Sequence, residues 1–175
     1  MSVAPHFWFW NTRPERKPRT LEDLMTCYYR SVGRGAVLLL NQTPDTSGLI
    51  PPIEAQRAAE FGAEIRRRFG ACVAETHGRG ATLELKLEKP TAIDHVVAME
   101  EITEGERVRQ YVLEAQVDGA WREVARGTAI GHKKIDFFPA VQATAIRLRV
   151  TRSAAEPILR RLAALHVGTA EPGDR

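Results

Sequence analysis

The sequence predicts an α/β segment in residues 1–71, followed by an all-β antiparallel sandwich or jelly roll in residues 72–168. The spacing of apolar residues supports this division, because it is helical up to Gly70 and changes to alternation from about Thr76. Several short alternating segments, separated by turn signals, are typical of a sandwich. The polar tail of residues 169–175 is expected to be frayed.

The first predicted helix begins after Thr20, whose hydroxyl can accept a hydrogen bond from a free backbone N–H. Glu22 and Asp23 follow in the first turn, where negative charge faces the positive end of the helix dipole. Apolar residues then recur at helical spacing, at Leu21, Leu24, Met25 and Tyr28. Gly33 is expected to end this helix.

Ala36–Leu40 is an unbroken apolar run, which predicts a strand covered on both faces, as in a parallel sheet. A second amphipathic helix is expected from Pro51 and Pro52 up to Gly70. The arginines at positions 66–68 are expected to form its solvated end. One strand cannot complete a sheet, so we expect this segment to be the end of a larger α/β unit, loosely packed or associating through its apolar surfaces.

The second half contains the short strands of the predicted sandwich. They are Leu83–Leu87, Ile93–Met99, Tyr111–Val117, Trp121–Val124, Lys133–Phe138, Ile146–Val150 and Leu162–Val167. Asp118-Gly119 is a hairpin turn signal between two of them.

Composition excludes several classes of protein. Apolar residues make up 43% of the 175 and charged residues 27%, which is typical of a folded globular chain. The net charge of +3 comes from interspersed charges of both signs, so nothing favours nucleic-acid binding. No run is apolar enough for a membrane helix, and the N-terminus lacks the features of a signal peptide. Cys27 and Cys72 are expected to be ordinary thiols, and we expect no metal ion and no cofactor.

Two polar or aromatic clusters are candidates for a site. Phe7–Trp10 places four aromatic residues in a row; they are core material or a platform for the apolar face of a sugar. Asn41–Asp45 directly follows the predicted strand, the position at which barrels of alternating strands and helices carry their active sites. A plain turn explains the second cluster equally well.

Together these segments resemble the α-L-fucosidases of glycoside hydrolase family 29. Phe7–Asn11, Ser31–Asn41 and Pro44–Ile50 are similar to the end of that family's catalytic (β/α)8-like barrel. Met99–Val108, Asp118–Trp121 and Gly127–Ile135 are similar to its C-terminal sandwich, which is discoidin-like with a galactose-binding jelly-roll fold. The motifs occur in the family's order between residues 7 and 167.

The resemblance implies a retaining glycosidase with an aspartate nucleophile and a second carboxylic acid, both upstream of Phe7–Asn11. No acidic residue precedes Glu15, so no catalytic residue is assigned in this chain. The implied supporting residues are Trp8 and Trp10, facing the sugar, and Asn41, at the mouth of a late barrel strand. Asn11, where relatives commonly carry histidine, is the remaining candidate.

We therefore expect the C-terminal part of an α-L-fucosidase, inactive alone, whose intact form acts on a fucosylated glycan. It is a truncated gene product, a pseudogene remnant, or one chain of a split enzyme that pairs with an upstream barrel chain. Members of the family are often secreted, periplasmic or lysosomal, which leaves the localisation of this chain open. The alternative is a stand-alone carbohydrate-binding or docking sandwich. If the sandwich is a stand-alone module, His132–Lys134 would belong to its binding surface. If the chain is part of a fucosidase, the same segment would belong to an interface with the barrel.

Overall fold

The computed structural model describes residues 1–4, 9–12 and 17–168, which contain two helices and six strands. The helices are α1 (Leu21–Arg30) and α2 (Pro52–Phe69). The strands are β1 (Ala74–Arg79), β2 (Thr82–Glu100), β3 (Val108–Val117), β4 (Ala120–Gly127), β5 (Lys134–Ser153) and β6 (Ile158–Leu165). The predicted tail, residues 169–175, lies outside the described residues.

All six strands belong to one antiparallel sheet in the order β1-β6-β2-β5-β3-β4. The register between β2 and β5 shifts between Lys86 and Thr91. Beyond this irregularity β2 also pairs with β6, whereas β3 pairs with the second half of β5. The two long strands therefore continue from one layer to the other, and the sheet closes over itself as a sandwich.

Two apolar clusters lie on opposite faces of the layer that contains the second half of β2. Val96 and Ala98 point into the main cluster between the layers, while Val97 joins a second cluster with the helices. Strand β6 alternates in the same way, with Leu162 inside and Ala163 outside. This layer is buried on both faces, and the helices are its outer cover.

The two helices form where capping and apolar spacing predict them. The Thr20 hydroxyl accepts a hydrogen bond from the backbone N–H of Asp23, and Pro52 opens α2. Leu24 and Met25 of α1 are 0% and 1% exposed, and Phe61 of α2 is also buried. Their apolar faces pack on the sandwich, so the expectation of a loosely packed segment is wrong for the helices.

The predicted strand Ala36–Leu40 requires a correction. Leu38 and Leu40 pack against the helical cluster, but Val37 and Leu39 are 92% and 73% exposed. No described element covers this second face, so the segment is not buried on both sides. Only at its end does it pair, through a parallel bridge between Ser2 and Asn41.

The sandwich strands overlap the predicted segments, except β1 (Ala74–Arg79), which no predicted segment covers, and they are fewer and longer. Leu83–Leu87 and Ile93–Met99 are parts of the single strand β2, and β5 likewise joins two predicted segments. Among the described residues, no helix has the length and apolar character needed to span a bilayer. The same residues contain no group of three or more side chains suited to hold a metal ion.

Candidate functional site

The first candidate site is the edge at which two parallel extended segments end. The Val3 N–H donates to the carbonyl of Asn41 (2.9 Å), and the Asn41 N–H donates to the carbonyl of Met1 (2.8 Å). Because the segments run parallel, the chain that follows each one starts from the same edge. Val3 and Asn41 therefore lie side by side at this edge. Residues 5–8, which include Phe7 and Trp8, lie outside the described residues.

The candidate residues at this edge differ in how the structure places them. Trp8 lies outside the described residues, and Trp10 is half-buried. The side-chain amide of Asn11 donates to the Phe9 carbonyl at 3.4 Å. The side-chain amide of Asn41 donates to the hydroxyl of buried Thr43 at 3.3 Å. Each of these contacts lies within its own turn.

The described carboxylates near this edge have local roles. Asp45 accepts hydrogen bonds from both the backbone and the hydroxyl of Ser47, which lower the pKa of the Asp45 carboxyl. Among the buried carboxylates of the sandwich, Glu100 accepts backbone hydrogen bonds from Arg107, Val108 and Gly131. Such bonds fix turns at the ends of strands.

The second candidate region is the contact between the helices and the sandwich. Lys133 donates to the hydroxyl of Tyr28 at 3.1 Å, and its ammonium lies 5.5 Å from the centre of that ring. The same ammonium lies 5.7 Å from the ring of Phe69. The Ile135 N–H donates to the carbonyl of Gly33. Of the two interpretations of the His132–Lys134 segment, the interface fits Lys133.

A buried polar network crosses this same contact. The carboxylate of Asp94 lies 2.8 Å from His95 Nδ1, and His95 Nε2 lies 2.8 Å from the hydroxyl of Tyr29. Since a carboxylate can only accept, His95 Nδ1 donates to Asp94, and Nε2 accepts from Tyr29. Arg68 of α2 donates to the Tyr29 oxygen at 3.4 Å. One chain of hydrogen bonds thus connects α2, α1 and β2.

The environment of this network shifts its pKa values. Burial lowers the pKa of His95, although Asp94 opposes the shift, and burial raises the pKa of Tyr29. Burial would raise the pKa of Asp94, but hydrogen bonds from the N–H groups of Val167 and Gly168, together with His95, outweigh it and lower that pKa. Neutral imidazole and ionised carboxylate are therefore favoured side by side.

The arginines of α2 require a second correction. Arg68 is 12% exposed and bonds to Glu64, while Arg67 donates to the carbonyl of Val167 on the sandwich. Hydrogen bonds from Arg67 and Arg68 lower the pKa of Glu64 to about 2, because they outweigh the opposite effect of burial. The C-terminal end of α2 therefore contacts the sandwich, and the expectation that it is only a solvated end is wrong. The i,i+3 and i,i+4 spacings of Glu64 with Arg67 and Arg68 are the sequence signal for these ion pairs, whereas no local pattern indicates the contact with Val167.

Comparisons with known proteins agree with this architecture. Residues 69–162, more than half of the chain, match the F5/8 type C domain family. The chain is 25% identical over 196 residues to α-L-fucosidase 1 of Arabidopsis thaliana, covering 91% of the chain. It superposes on a structure from Bacteroides thetaiotaomicron, named "putative alpha-L-fucosidase", with a TM-score of 0.92, 42% identity and 95% of the chain covered. A glycoside hydrolase family 29 structure from a rumen bacterium superposes with a TM-score of 0.86 and 32% sequence identity. The match covers 97% of this chain and 32% of that one.

These similarities extend beyond the sandwich into the helices and the extended segments before them. The chain spans 38% of the length of the Arabidopsis protein and 39% of the Bacteroides protein. The chain belongs to the F5/8 type C (discoidin-like) domain family, and over nearly its whole length it is similar to α-L-fucosidases and to structures of glycoside hydrolase family 29.

Proposed function

We propose that this chain is the C-terminal part of an α-L-fucosidase, in which residues 1–71 are the last strand–helix units of a (β/α)8-like barrel and residues 72–168 are its discoidin-like sandwich. The observation that carries the proposal is the parallel pairing of Met1–Val3 with Leu39–Asn41 across α1. A strand, a helix and a parallel strand form the repeating unit of such a barrel, and α2 follows as the next helix. The exposed side chains of Val37 and Leu39 fit a strand that lacks its neighbours.

In this arrangement the supporting site residues are Trp8, Trp10, Asn11 and Asn41. They follow the carboxyl ends of the two parallel segments, the face at which barrels of this kind bind substrate. An indole can stack on the apolar face of a fucosyl ring, and an amide can hydrogen-bond its hydroxyls. Their substrate in the intact enzyme is a terminal α-L-fucosyl group of a glycan.

The 175 residues alone are proposed to be inactive. Retaining hydrolysis needs two carboxyl groups roughly 5–5.5 Å apart, one nucleophile and one acid. Among the described residues, Asp45 is bound to Ser47, and Asp94 and Glu100 are held by backbone N–H groups inside the sandwich. The catalytic pair is thus proposed to come from a barrel segment supplied in front of this chain or by a second chain.

The test replaces the matching region of the Bacteroides protein with this chain and measures hydrolysis of an aryl α-L-fucoside. The hybrid is expected to approach the turnover of its parent, and Trp10→Ala is expected to lower kcat/KM by at least about tenfold. Trp121→Ala, on the outer face of the sandwich against Arg147, is the matched control and is expected to leave kcat/KM unchanged.

Two results would contradict the proposal. One is turnover by the purified 175-residue chain, which would place a complete catalytic pair within it. The other is a folded hybrid, with a cooperative unfolding transition, that does not hydrolyse the fucoside while its parent does.

The stand-alone sandwich remains the alternative, and its support is membership of the F5/8 type C family. The position of Lys133 against Tyr28 and Phe69 weighs against a free binding surface at His132–Lys134. Calorimetric titration with fucose and galactose separates the two, because a stand-alone module would bind sugar without any barrel.

A further inference from the structure

A cavity of about 340 Å³ lies where α1 meets the strands β4 and β5. Its walls combine apolar and aromatic groups with basic side chains. The apolar part comes from Tyr29, Val124, Ile135 and Phe137, and the basic part from Arg30, Arg34, Arg126 and Lys134. Cavities of this size hold ligands of roughly one sugar unit.

Basic side chains outnumber acidic ones in the lining of this cavity. Asp136 is the one acidic residue among its lining side chains, and it is 8% exposed. One oxygen of Asp136 accepts a hydrogen bond from the Tyr111 hydroxyl at 2.6 Å, and the other lies 3.6 Å from the ammonium of Lys134. Its negative charge is therefore already engaged within the wall.

Arg34 is the basic group with unused capacity. Its side chain makes no hydrogen bond and no ion pair with any residue in the described part of the chain, although its backbone pairs with Lys134 in an antiparallel bridge. Arg34 and Lys134 also line a second cavity of about 400 Å³ next to Gly127 and Gly131. A guanidinium between two cavities can offer paired N–H groups to a carboxylate or a sulfate.

We propose that this cavity binds a sugar unit that carries a carboxylate or sulfate group, with Arg34 and Lys134 holding the anion. The apolar wall of Val124, Ile135 and Phe137 contacts the ring, and Arg126, which is ion-paired with Glu123 at 2.6 Å, lies at the rim. That the anion is carried by a sugar rests on the proposed function. The site lies on the junction of the helices and the sandwich, away from the edge at Asn41.

The experiment follows amide chemical shifts of the isotope-labelled 175-residue chain during titration with glucuronic acid and with glucose 6-sulfate. Glucose and sodium sulfate, at matched ionic strength, are the neutral-sugar and free-anion controls. At least one acidic sugar is expected to give saturable shifts at residues 124–126 and 134–137, with at least about tenfold tighter binding than either control.

Variants then test the residues. Arg34→Gln is expected to weaken binding of the acidic sugar at least about fivefold. Arg122→Gln is the matched control, because Arg122 is 62% exposed, lies outside the cavity and faces Asp118 at 3.7 Å. It is expected to leave the affinity unchanged.

Absence of saturable shifts with both acidic sugars would overturn the proposal. If sodium sulfate bound as tightly as the acidic sugars, the claim that the ligand is a sugar would be wrong. If Arg34→Gln and Arg122→Gln weakened binding equally, binding would depend on overall charge and not on Arg34. An active hybrid enzyme whose isolated chain binds no acidic sugar would refute this site alone. Binding without hybrid turnover would refute only the fucosidase assignment.

Discussion

His95 shows how the interface between helices and sandwich depends on single side chains. Its imidazole is 3% exposed and touches Asp94, Tyr29 and the ring of Phe137. Burial disfavours the charged imidazolium and lowers the pKa of His95, so the neutral form with Nδ1 protonated is favoured. Protonation would give Nε2 a proton that faces the Tyr29 hydroxyl and would add charge near Arg68.

This arrangement predicts a pH dependence of stability. Burial lowers the folded-state pKa of His95 below the ordinary value of 6.5, so the unfolded chain takes up a proton first as the pH falls. The His95 contribution is complete above about pH 6.5 and is lost as the pH falls below it. The free energy of unfolding, measured in urea, should decrease between pH 7.5 and 5.5 more in the native chain than in His95→Gln.

The other titratable groups near His95 are shared by the two proteins, including His166, whose Nδ1 lies 3.3 Å from Asp94 Oδ2. The lowered pKa of Asp94 places its contribution at more acidic pH, and the pKa of Asp136, raised by burial, has the opposite sign but is present in both proteins. His132→Gln, at an exposed position, is the control. A pH dependence lost equally in both variants, or unchanged in His95→Gln, would contradict the prediction.

At the scale of elements, local signals predict the helices well. The Thr20 cap, the proline at the start of α2 and the spacing of apolar residues are properties of the neighbouring sequence, and all of them hold in the structure. Alternation likewise places strands with one face toward the core, such as Leu83–Leu87 and Tyr111–Val117. Ile93–Met99 lies in the layer that is buried on both faces and is marked only by its apolar run. What joins two predicted segments into one long strand is the bend between layers, which alternation does not encode.

The residues that local patterns miss depend on distant partners. Tyr29 and His95 are 66 positions apart, and Arg67 bonds to Val167 across 100 positions. The apolar run Ala36–Leu40 predicts burial but cannot say what would cover it. Trp10, Asn11 and Asn41 could be named from motifs, whereas the parallel pairing of Ser2 with Asn41 arises only from the folded chain.

Two leucines provide a test of the contrast between packed helix and uncovered segment. Leu24 of α1 is 0% exposed, so Leu24→Ala is expected to cost about 2–5 kcal/mol of unfolding free energy. Leu39 is 73% exposed, and Leu39→Ala is expected to change it by less than about 0.5 kcal/mol. Urea unfolding of the two variants measures both. A cost at Leu39 equal to that at Leu24 would mean that the segment is covered, for example by a second copy.

At the scale of the whole molecule, the sandwich core, the helices and the extended segment differ in how far their apolar side chains are buried. The core between the sheet layers has fully buried members such as Leu113, Ile146 and Leu148. The helices cover the outer face of one layer through Leu24, Met25 and the Tyr29–His95 network. Beyond them, the extended segment keeps Val37 and Leu39 in solvent. The sandwich is thus covered on one face by the helices, while the extended segment leaves one of its own faces in solvent.

This picture predicts that the energetic role of Leu39 depends on what surrounds the chain. In the hybrid with the Bacteroides protein, neighbouring barrel strands would cover Leu39, so Leu39→Ala should become destabilising by about 2–4 kcal/mol. Leu24→Ala should cost the same in both settings, since its neighbours lie within this chain. Unfolding of the hybrid and of the isolated chain, each with both variants, gives the comparison. If Leu39→Ala were as harmless in the hybrid as in the isolated chain, this segment would not be a strand of the barrel.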